Sequence, residues 1–136
     1  MKSAIVIGST GLVGGYLISA LAKSKSFEKV IALVRRPYFE HYENVEEVVL
    51  DFNKEDPFKG LKKADHVFCC LGSTIRKAGS KKEFRFVDFH LPVLFANWAK
   101  KNNCDTFSLV SSMGADSKSK IFYNRTKGDV EEEIKK

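Results

Sequence analysis

Short apolar runs rich in β-branched residues recur along the chain, and segments with helical spacing separate them. We predict five strands, at residues 3–8, 29–34, 45–50, 65–71 and 105–110. Most of these runs are apolar at successive positions rather than at every second one, which is typical of strands buried on both faces. The pattern therefore predicts a parallel sheet that is covered by helices.

Three segments between and after the strands have the apolar spacing of helices. They span residues 12–24, residues 81–102 and the stretch from Phe122 to the end. Pro92 lies within the second segment and is expected to kink or split it, because proline removes a backbone donor. The alternation of strands and helices predicts right-handed βαβ units in one doubly wound α/β domain over residues 1–136, with strand order 3-2-1-4-5.

The chain ends where a sixth strand would ordinarily follow in such a fold. Two interpretations are open, a minimal version of the fold or the front part of a longer protein. We favour the second, in which a C-terminal substrate-binding part is missing from this sequence.

A glycine-rich loop joins the first strand to the first helix. Gly8 permits a tight turn, Gly11 lets a pyrophosphate approach the backbone, and Gly14 lets the helix lie close to the sheet. The free N–H groups and the partial positive charge of the helix N-terminus attract phosphates. The loop therefore predicts a dinucleotide site, and the alternative is a turn made only for packing. Its residues are Gly8, Ser9, Thr10, Gly11, Leu12, Val13 and Gly14.

Two arginines, Arg35 and Arg36, follow the second strand, where a dinucleotide-binding chain usually has an acid for the ribose 2′-hydroxyl. A carboxylate would repel a 2′-phosphate, whereas a guanidinium binds one with charge-assisted contacts. The inferred cofactor is therefore NADP(H) in preference to NAD(H). The alternative interpretation is a solvated strand end.

The ends of the third and fourth strands supply further candidate cofactor contacts. Asp51 and Phe52 follow the third strand and are placed to flank the adenine, unless they form a simple turn that Asp51 caps. The fourth strand ends beside the first in the expected order, and a glycine there would permit close passage of the cofactor. The residues at this end are Leu71, Gly72, Ser73 and Thr74.

Tyr123 and Lys127 are four residues apart, so they share one face of the last helix. A free tyrosine has a pKa near 10, and a nearby ammonium favours the phenolate. The pair is therefore a candidate for proton exchange with a carbonyl or alcohol, with the lysine also holding the cofactor. Ser112 is the preferred residue to orient the substrate oxygen, and Ser111 is the reserve and a cofactor contact. In the alternative interpretation, the tyrosine is an aromatic anchor and the lysine a surface charge.

These motifs resemble those of the short-chain dehydrogenase/reductase superfamily, in its atypical branch, and more narrowly the group around the Tat-interacting protein TIP30 (oxidoreductase HTATIP2). The resemblance implies a Rossmann-type fold, NADPH binding and catalysis by the tyrosine and lysine. Many extended members carry an asparagine at the position of Asp88, which argues against a fourth catalytic residue there. The motifs that carry the resemblance are residues 8–14, 68–74, 77–79, 86–88, 111–116 and 123–127.

The amino-acid composition excludes several classes of protein but does not indicate a specific function. The chain is 43% hydrophobic and 29% charged, which is ordinary for a globular domain and excludes intrinsic disorder. The net charge of +6 calls for an anionic partner, but the lysines form no long run, so neither nucleic acid nor a membrane is expected. Three cysteines without a C-x-x-C pair indicate a reducing compartment and no metal site, and we expect a cytoplasmic protein.

Two functions remain open from the residues and the resemblance. The first is an NADPH-dependent oxidoreductase that acts on a small carbonyl or hydroxyl compound, with a nucleotide-sugar-like substrate as one option. The second is a catalytically weak NADP(H)-binding regulator that acts through a protein partner. A homodimer is left open in both.

Overall fold

The computed structural model of the protein describes residues 2–8, 12–34, 44–50, 58, 60–71, 79–110 and 115–135. Its strands are all parallel and lie in one sheet in the order β3-β2-β1-β4-β5. This confirms the predicted sheet and its order. The strands are β1 (Lys2–Ile7), β2 (Phe27–Val34), β3 (Val45–Val49), β4 (His66–Cys69) and β5 (Thr106–Leu109).

Helices cover both faces of this sheet. The first, α1 (Leu12–Lys23), connects β1 to β2. A continuous helical stretch precedes β5 and consists of α2 (Lys81–Arg85), a π-helical turn (Phe86–His90) and α3 (Leu91–Lys101). The last helix, α4 (Phe122–Lys135), follows β5.

The central strand β1 explains why the strand runs are apolar at successive positions. Successive side chains of a strand point to opposite faces of the sheet. Val6 belongs to a buried cluster with Ile18 of α1, whereas Ile5 belongs to a second cluster with Phe95 of α3. All four side chains are fully buried. Both faces of β1 are therefore core, as the sequence pattern predicted.

The interruption expected at Pro92 takes the form of the π-helical turn. The Leu91 N–H donates to the Phe86 carbonyl, which lies five residues earlier instead of four. Proline has no N–H, and its ring would clash with the carbonyl of the residue four positions before it, Asp88. The wider turn accommodates the proline, so the helix continues through it and is not split.

The parallel arrangement brings the carboxyl ends of all strands to one edge of the sheet. The strand order reverses between β1 and β4, because the chain leaves β1 for β2 on one side and later returns to β4 on the other. Ligands of such sheets bind in the crevice outside this point. The Cys70 N–H donates to the Ile7 carbonyl at 2.8 Å, so β1 and β4 stay paired to the edge itself.

Candidate functional site

Gly8 brings the end of β1 directly against the end of β4. Its φ angle is +77°, a left-handed conformation that glycine adopts without strain. A Cβ atom at this position would lie 2.7 Å from the carbonyl carbon of Cys70 and 2.8 Å from the backbone nitrogen of Leu71. Only a glycine therefore fits where the predicted phosphate loop leaves the sheet.

The rest of that loop is described in part. Helix α1 begins at Leu12, so the last three residues of the predicted loop form its first turn, and its N-terminus points back to the carboxyl edge of the sheet. Val13 is half exposed and Gly14 is buried, as expected for a glycine that lets the helix approach the sheet. The phosphate contact of the loop stays a prediction.

Many of the candidate site residues lie outside the described residues. The described residues nevertheless reach up to most of them, because Val34, Leu50, Leu71 and Val110 each lie at or just after the end of a strand. Since the carboxyl ends of parallel strands share one edge, these four residues lie at the same edge of the sheet as Gly8. The candidates concerned are Ser9, Thr10, Gly11, Arg35, Arg36, Asp51, Phe52, Gly72, Ser73, Thr74, Ser111 and Ser112.

Tyr123 and Lys127 lie one turn apart in α4, as the spacing predicted. The Lys127 ammonium lies 5.6 Å from the centre of the Tyr123 ring, within reach of a cation–π contact. Tyr123 also packs against Phe84 of α2, with ring centres 5.4 Å apart. Lys127 is only 5% exposed. It is therefore not the solvated surface charge of the alternative interpretation.

The partner of this buried lysine is Asp88, which is not among the candidate site residues predicted from the sequence. The Lys127 ammonium donates a hydrogen bond to the Asp88 carboxylate, and Asp88 is 1% exposed. Removing one partner of a buried ion pair typically costs about 3–5 kcal/mol, because the other charge is left uncompensated. The signal available in the sequence was an acid in an otherwise apolar helix face, between Phe84 and Phe95.

The electrostatics of Cys69 show where the ion pair lies relative to the sheet. Burial raises the pKa of this thiol to about 12, and a backbone hydrogen bond from Leu71 offsets part of the increase. Among the smaller effects, the charge of Lys127 lowers this pKa and the charge of Asp88 raises it. Both charges therefore act on the last residue of β4, close to the point where Gly8 meets β4. Burial also raises the pKa of Cys70. The two thiols stay protonated at neutral pH, in agreement with a core role.

Gly128 explains how α4 is held in this position. A Cβ atom there would lie 2.1 Å from the Ser117 backbone nitrogen and 2.4 Å from the Asp116 carbonyl carbon. Only a glycine therefore fits at this point of α4, and what it packs against is the loop before the helix. The same loop is fastened by a hydrogen bond of 2.9 Å from the Asp116 N–H to the Asn124 carbonyl.

Thr126 adds a further polar group to the interior of α4. Its side chain is fully buried, and its hydroxyl has no hydrogen-bond partner among the described residues. An unsatisfied buried hydroxyl costs about 1–3 kcal/mol. The face of α4 that carries Thr126 and Lys127 is thus more polar than packing alone requires.

These features fit a dinucleotide at the carboxyl edge. The switch point lies between β1 and β4, a glycine without room for a side chain starts the loop, and a helix N-terminus follows. A buried ammonium lies beside a tyrosine ring and acts on the thiol at the end of β4. Within the described residues, no group of histidine, cysteine or acidic side chains could hold a metal ion.

Comparisons with known proteins agree with this geometry. A family model described as NAD(P)H-binding matches residues 8–135. Protein HTATIP2 of Rattus norvegicus is 37% identical over 98% of this chain and 56% of its own length. The mitochondrial protein FMP52 of Eremothecium gossypii is 34% identical over 97% of this chain and 59% of its own length. The chain thus spans less than three-fifths of these curated relatives.

A solved structure shows the same architecture. A short-chain dehydrogenase family protein from Francisella tularensis superposes with a TM-score of 0.69 over 97% of this chain and 60% of its own, at 17% identity. At this identity the likeness shows the fold, and the family model over residues 8–135 shows that the chain belongs to the NAD(P)H-binding family. The predicted resemblance to the TIP30 (HTATIP2) group is confirmed by the match in sequence.

Two findings bear on cellular location. No helix in the described ranges is both long and apolar enough to span a membrane. The yeast relatives are named mitochondrial proteins, so the comparisons do not support the expected cytoplasmic location.

Proposed function

Because the chain belongs to the NAD(P)H-binding family, we propose that it is an NADPH-dependent oxidoreductase acting on a small carbonyl or hydroxyl compound. The observation that carries the proposal is the buried Lys127 ammonium beside Tyr123, close to the end of β4. A charged lysine inside a core serves no packing purpose that an apolar side chain would not serve better. A buried ammonium is useful, however, where it must contact both a ribose hydroxyl of a cofactor and the phenol of a catalytic tyrosine.

Each part of the cofactor is assigned to its own group of residues. Gly8 and the N-terminus of α1 would hold the pyrophosphate, since backbone N–H groups there have no partner within the helix. Arg35 and Arg36 would bind the 2′-phosphate, and Lys127 the ribose next to the nicotinamide. When bound, the cofactor supplies or accepts the hydride.

The chemistry of the substrate is assigned to three side chains. Tyr123 exchanges a proton with the substrate oxygen, as donor in carbonyl reduction and as acceptor in alcohol oxidation, and the Lys127 ammonium lies 5.6 Å from the centre of its ring. Ser112 orients the substrate oxygen through its hydroxyl. A nucleotide-sugar-like carbonyl compound is one member of the substrate class.

Turnover tests the assignment of Tyr123. NADPH oxidation is measured over a panel of small carbonyl compounds that includes nucleotide-linked sugars, first for the wild-type chain and then for Tyr123→Phe. Loss of a general acid is expected to lower the rate by about 100-fold or more. The matched control is Tyr16→Phe, because Tyr16 is 73% exposed on α1. An active Tyr123→Phe variant would contradict the assignment.

Selectivity tests the preference for NADPH. Arg35→Glu is expected to weaken NADPH binding by about 10–100-fold, the loss of a charge-assisted hydrogen bond, and to leave NADH binding within about threefold. Lys62→Glu, at an exposed position, controls for the change in net charge. Equal losses for both nucleotides in calorimetry would refute the 2′-phosphate role.

One observation favours the second candidate function, a catalytically weak NADP(H)-binding regulator. The Lys127 ammonium is already paired with Asp88, which reduces its effect on Tyr123. For such a regulator we expect that NADPH binds but that no compound of the panel is turned over. A protein partner would then bind the NADPH-bound form and the NADPH-free form with different affinities. Turnover that depends on Tyr123 would exclude this alternative.

A further inference from the structure

Several cations lie around the start of α4 without an acidic partner. They are Lys81 at the start of α2, Lys118 and Lys120 in the loop before α4, and Arg125 in the first turn of α4. Among the residues that the structure describes, none of these side chains forms an ion pair. We call this group the basic cluster.

The basic cluster lies where a helix favours the opposite charge. A helix N-terminus carries a partial positive charge, and acidic side chains in the first turn stabilise it. The first turn of α4 contains no acid and instead contains Arg125, and two lysines precede it. Helix stability therefore does not account for these cations, whereas a bound anion would interact favourably with both the side chains and the helix.

The ring of Phe122 holds two members of the basic cluster near each other. The Lys81 ammonium lies 5.2 Å from the centre of this ring, and the Arg125 guanidinium lies 5.5 Å from it. A cation–π contact engages the charge but leaves N–H donors for other partners. Arg125 donates one hydrogen bond, of 3.4 Å, to the Ser119 carbonyl. Most donors of both cations can therefore serve a ligand.

These two cations lie close to the candidate catalytic tyrosine. Phe122 directly precedes Tyr123 in α4, and both rings pack against Phe84, with ring centres 5.9 and 5.4 Å from it. Phe84 is fully buried, so the three rings form one aromatic cluster between α2 and α4. An anionic group held by Lys81 and Arg125 would therefore lie beside the tyrosine that is proposed to react.

We propose that the basic cluster binds an anionic group of the substrate, a phosphate or a carboxylate at a distance from the reacting carbonyl. The inference rests on the proposed function, since it assumes that Tyr123 reacts with the substrate. The cofactor phosphates are assigned to the glycine-rich loop and to Arg35 and Arg36, so they do not account for the basic cluster. Guanidinium and ammonium groups bind phosphates and carboxylates through charge-assisted hydrogen bonds. The substrate class is then a small carbonyl compound that carries an acid group.

Matched pairs of carbonyl compounds test this assignment. Glycolaldehyde is compared with glycolaldehyde phosphate, and butanal with succinic semialdehyde, so that each pair differs mainly in one acid group. NADPH oxidation is measured for the wild type, Lys81→Gln, Arg125→Gln and the control Lys82→Gln. Lys82 is the matched control because it is exposed and lies next to Lys81, but outside the basic cluster.

The wild type is expected to use the charged member of each pair with a kcat/KM about tenfold or more above that of the neutral member, mainly through a lower KM. Lys81→Gln and Arg125→Gln should each reduce this ratio by about 5–10-fold, and Lys82→Gln should leave it within about twofold. Equal use of charged and neutral compounds by the wild type would overturn the proposal. An equal fall of the ratio in Lys82→Gln would also overturn it, because net charge and not this site would then act.

Phosphate binding to the free chain separates this inference from the proposed function, since it needs neither cofactor nor turnover. Inorganic phosphate is titrated into the isotope-labelled chain, and NMR follows the amide signals of Phe122 and Gly8, which report the basic cluster and the phosphate loop. Arg125→Gln should weaken the response at Phe122 by about tenfold and leave that at Gly8 unchanged. A wild-type Phe122 signal that does not respond would overturn the inference, even if carbonyl compounds are reduced.

Two further outcomes are distinguished by the same measurements. If no compound is turned over, the proposed function fails, but a phosphate response at Phe122 that Arg125→Gln weakens still supports the anion site. Phosphatidylserine vesicles that change the same signals, with substrate selectivity unchanged in Lys81→Gln, would identify a membrane contact and overturn the proposal. If Arg125→Gln does not fold, Lys81→Gln serves in both tests, because Lys81 is exposed.

Discussion

Replacing Gly128 by alanine is expected to destabilise the protein, although the same exchange usually stabilises a helix. Alanine is favoured over glycine by about 1 kcal/mol within a helix. In α4, however, the added Cβ would lie 2.1 Å from the Ser117 backbone nitrogen, where ordinary contact begins at 3.4 Å. The loop would therefore have to retreat by about 1.3 Å, the difference between these distances.

The loop is poorly able to retreat, because hydrogen bonds fasten it to α4 on both sides of the glycine. The Asp116 N–H donates to the Asn124 carbonyl at 2.9 Å, and the Ser117 hydroxyl lies 2.8 Å from the Glu132 carboxylate. Overpacking typically costs about 1–3 kcal/mol, and a Cβ atom 2.1 Å from a backbone nitrogen belongs at the upper end, about 2–3 kcal/mol. Against a propensity gain of about 1 kcal/mol, the net loss is about 1–2 kcal/mol.

Thermal and urea denaturation measure this loss. At this chain length, about 1 kcal/mol corresponds to roughly 3–5 °C in Tm, so Gly128→Ala should melt about 3–10 °C below the wild type. The control Ala20→Gly, at an exposed position of α1, measures helix propensity alone and should cost about 1 kcal/mol. A Gly128→Ala variant as stable as the wild type, or more stable, would refute the close packing of α4 against its loop.

Three further predictions concern the sheet. Gly8→Ala should lower the unfolding free energy by about 2 kcal/mol or more in urea denaturation, because its Cβ would meet the Cys70 backbone at 2.7 Å in a left-handed conformation; an unchanged midpoint would contradict this. A hydrogen bond from the Ser3 backbone N–H lowers the pKa of Asp65, so the carboxylate stabilises the fold fully above its unfolded pKa near 3.9. This stabilisation is lost as the pH falls through the lowered folded-state pKa, and Asp65→Asn should therefore make the unfolding free energy less dependent on pH below about pH 4. An equally steep loss of stability in acid for this variant would contradict the role of Asp65. Burial raises the pKa of Cys69 to about 12, so thiol reagents at about pH 8 should modify it only in urea, and rapid labelling of the native protein would refute that burial.

The architecture could be predicted from the sequence because the signals that set it are local. The apolar run of β1 indicated burial on both faces, and the structure places Ile5 and Val6 in separate clusters on those faces. Strand ends were less predictable. β2 starts at Phe27, two residues before the predicted start, since pairing with β1 extends it beyond its apolar part.

The Asp88–Lys127 contact could not be predicted in the same way. Its two residues are 39 positions apart, on different helices, and neither helix pattern specifies how they pack. Spacing alone predicted the Tyr123–Lys127 pair because one turn of helix is a local property. Likewise, the sequence does not specify which residues pack against Gly128, because the loop that contains Ser117 has no periodic pattern.

A crystal structure of the chain with NADP⁺ would show directly where the dinucleotide binds. We expect a diphosphate against Gly8 and the N-terminus of α1, with the nicotinamide ribose in contact with the Lys127 ammonium. A nucleotide bound elsewhere, or a crevice between β1 and β4 that stays empty at saturating NADP⁺, would contradict the proposed cofactor site.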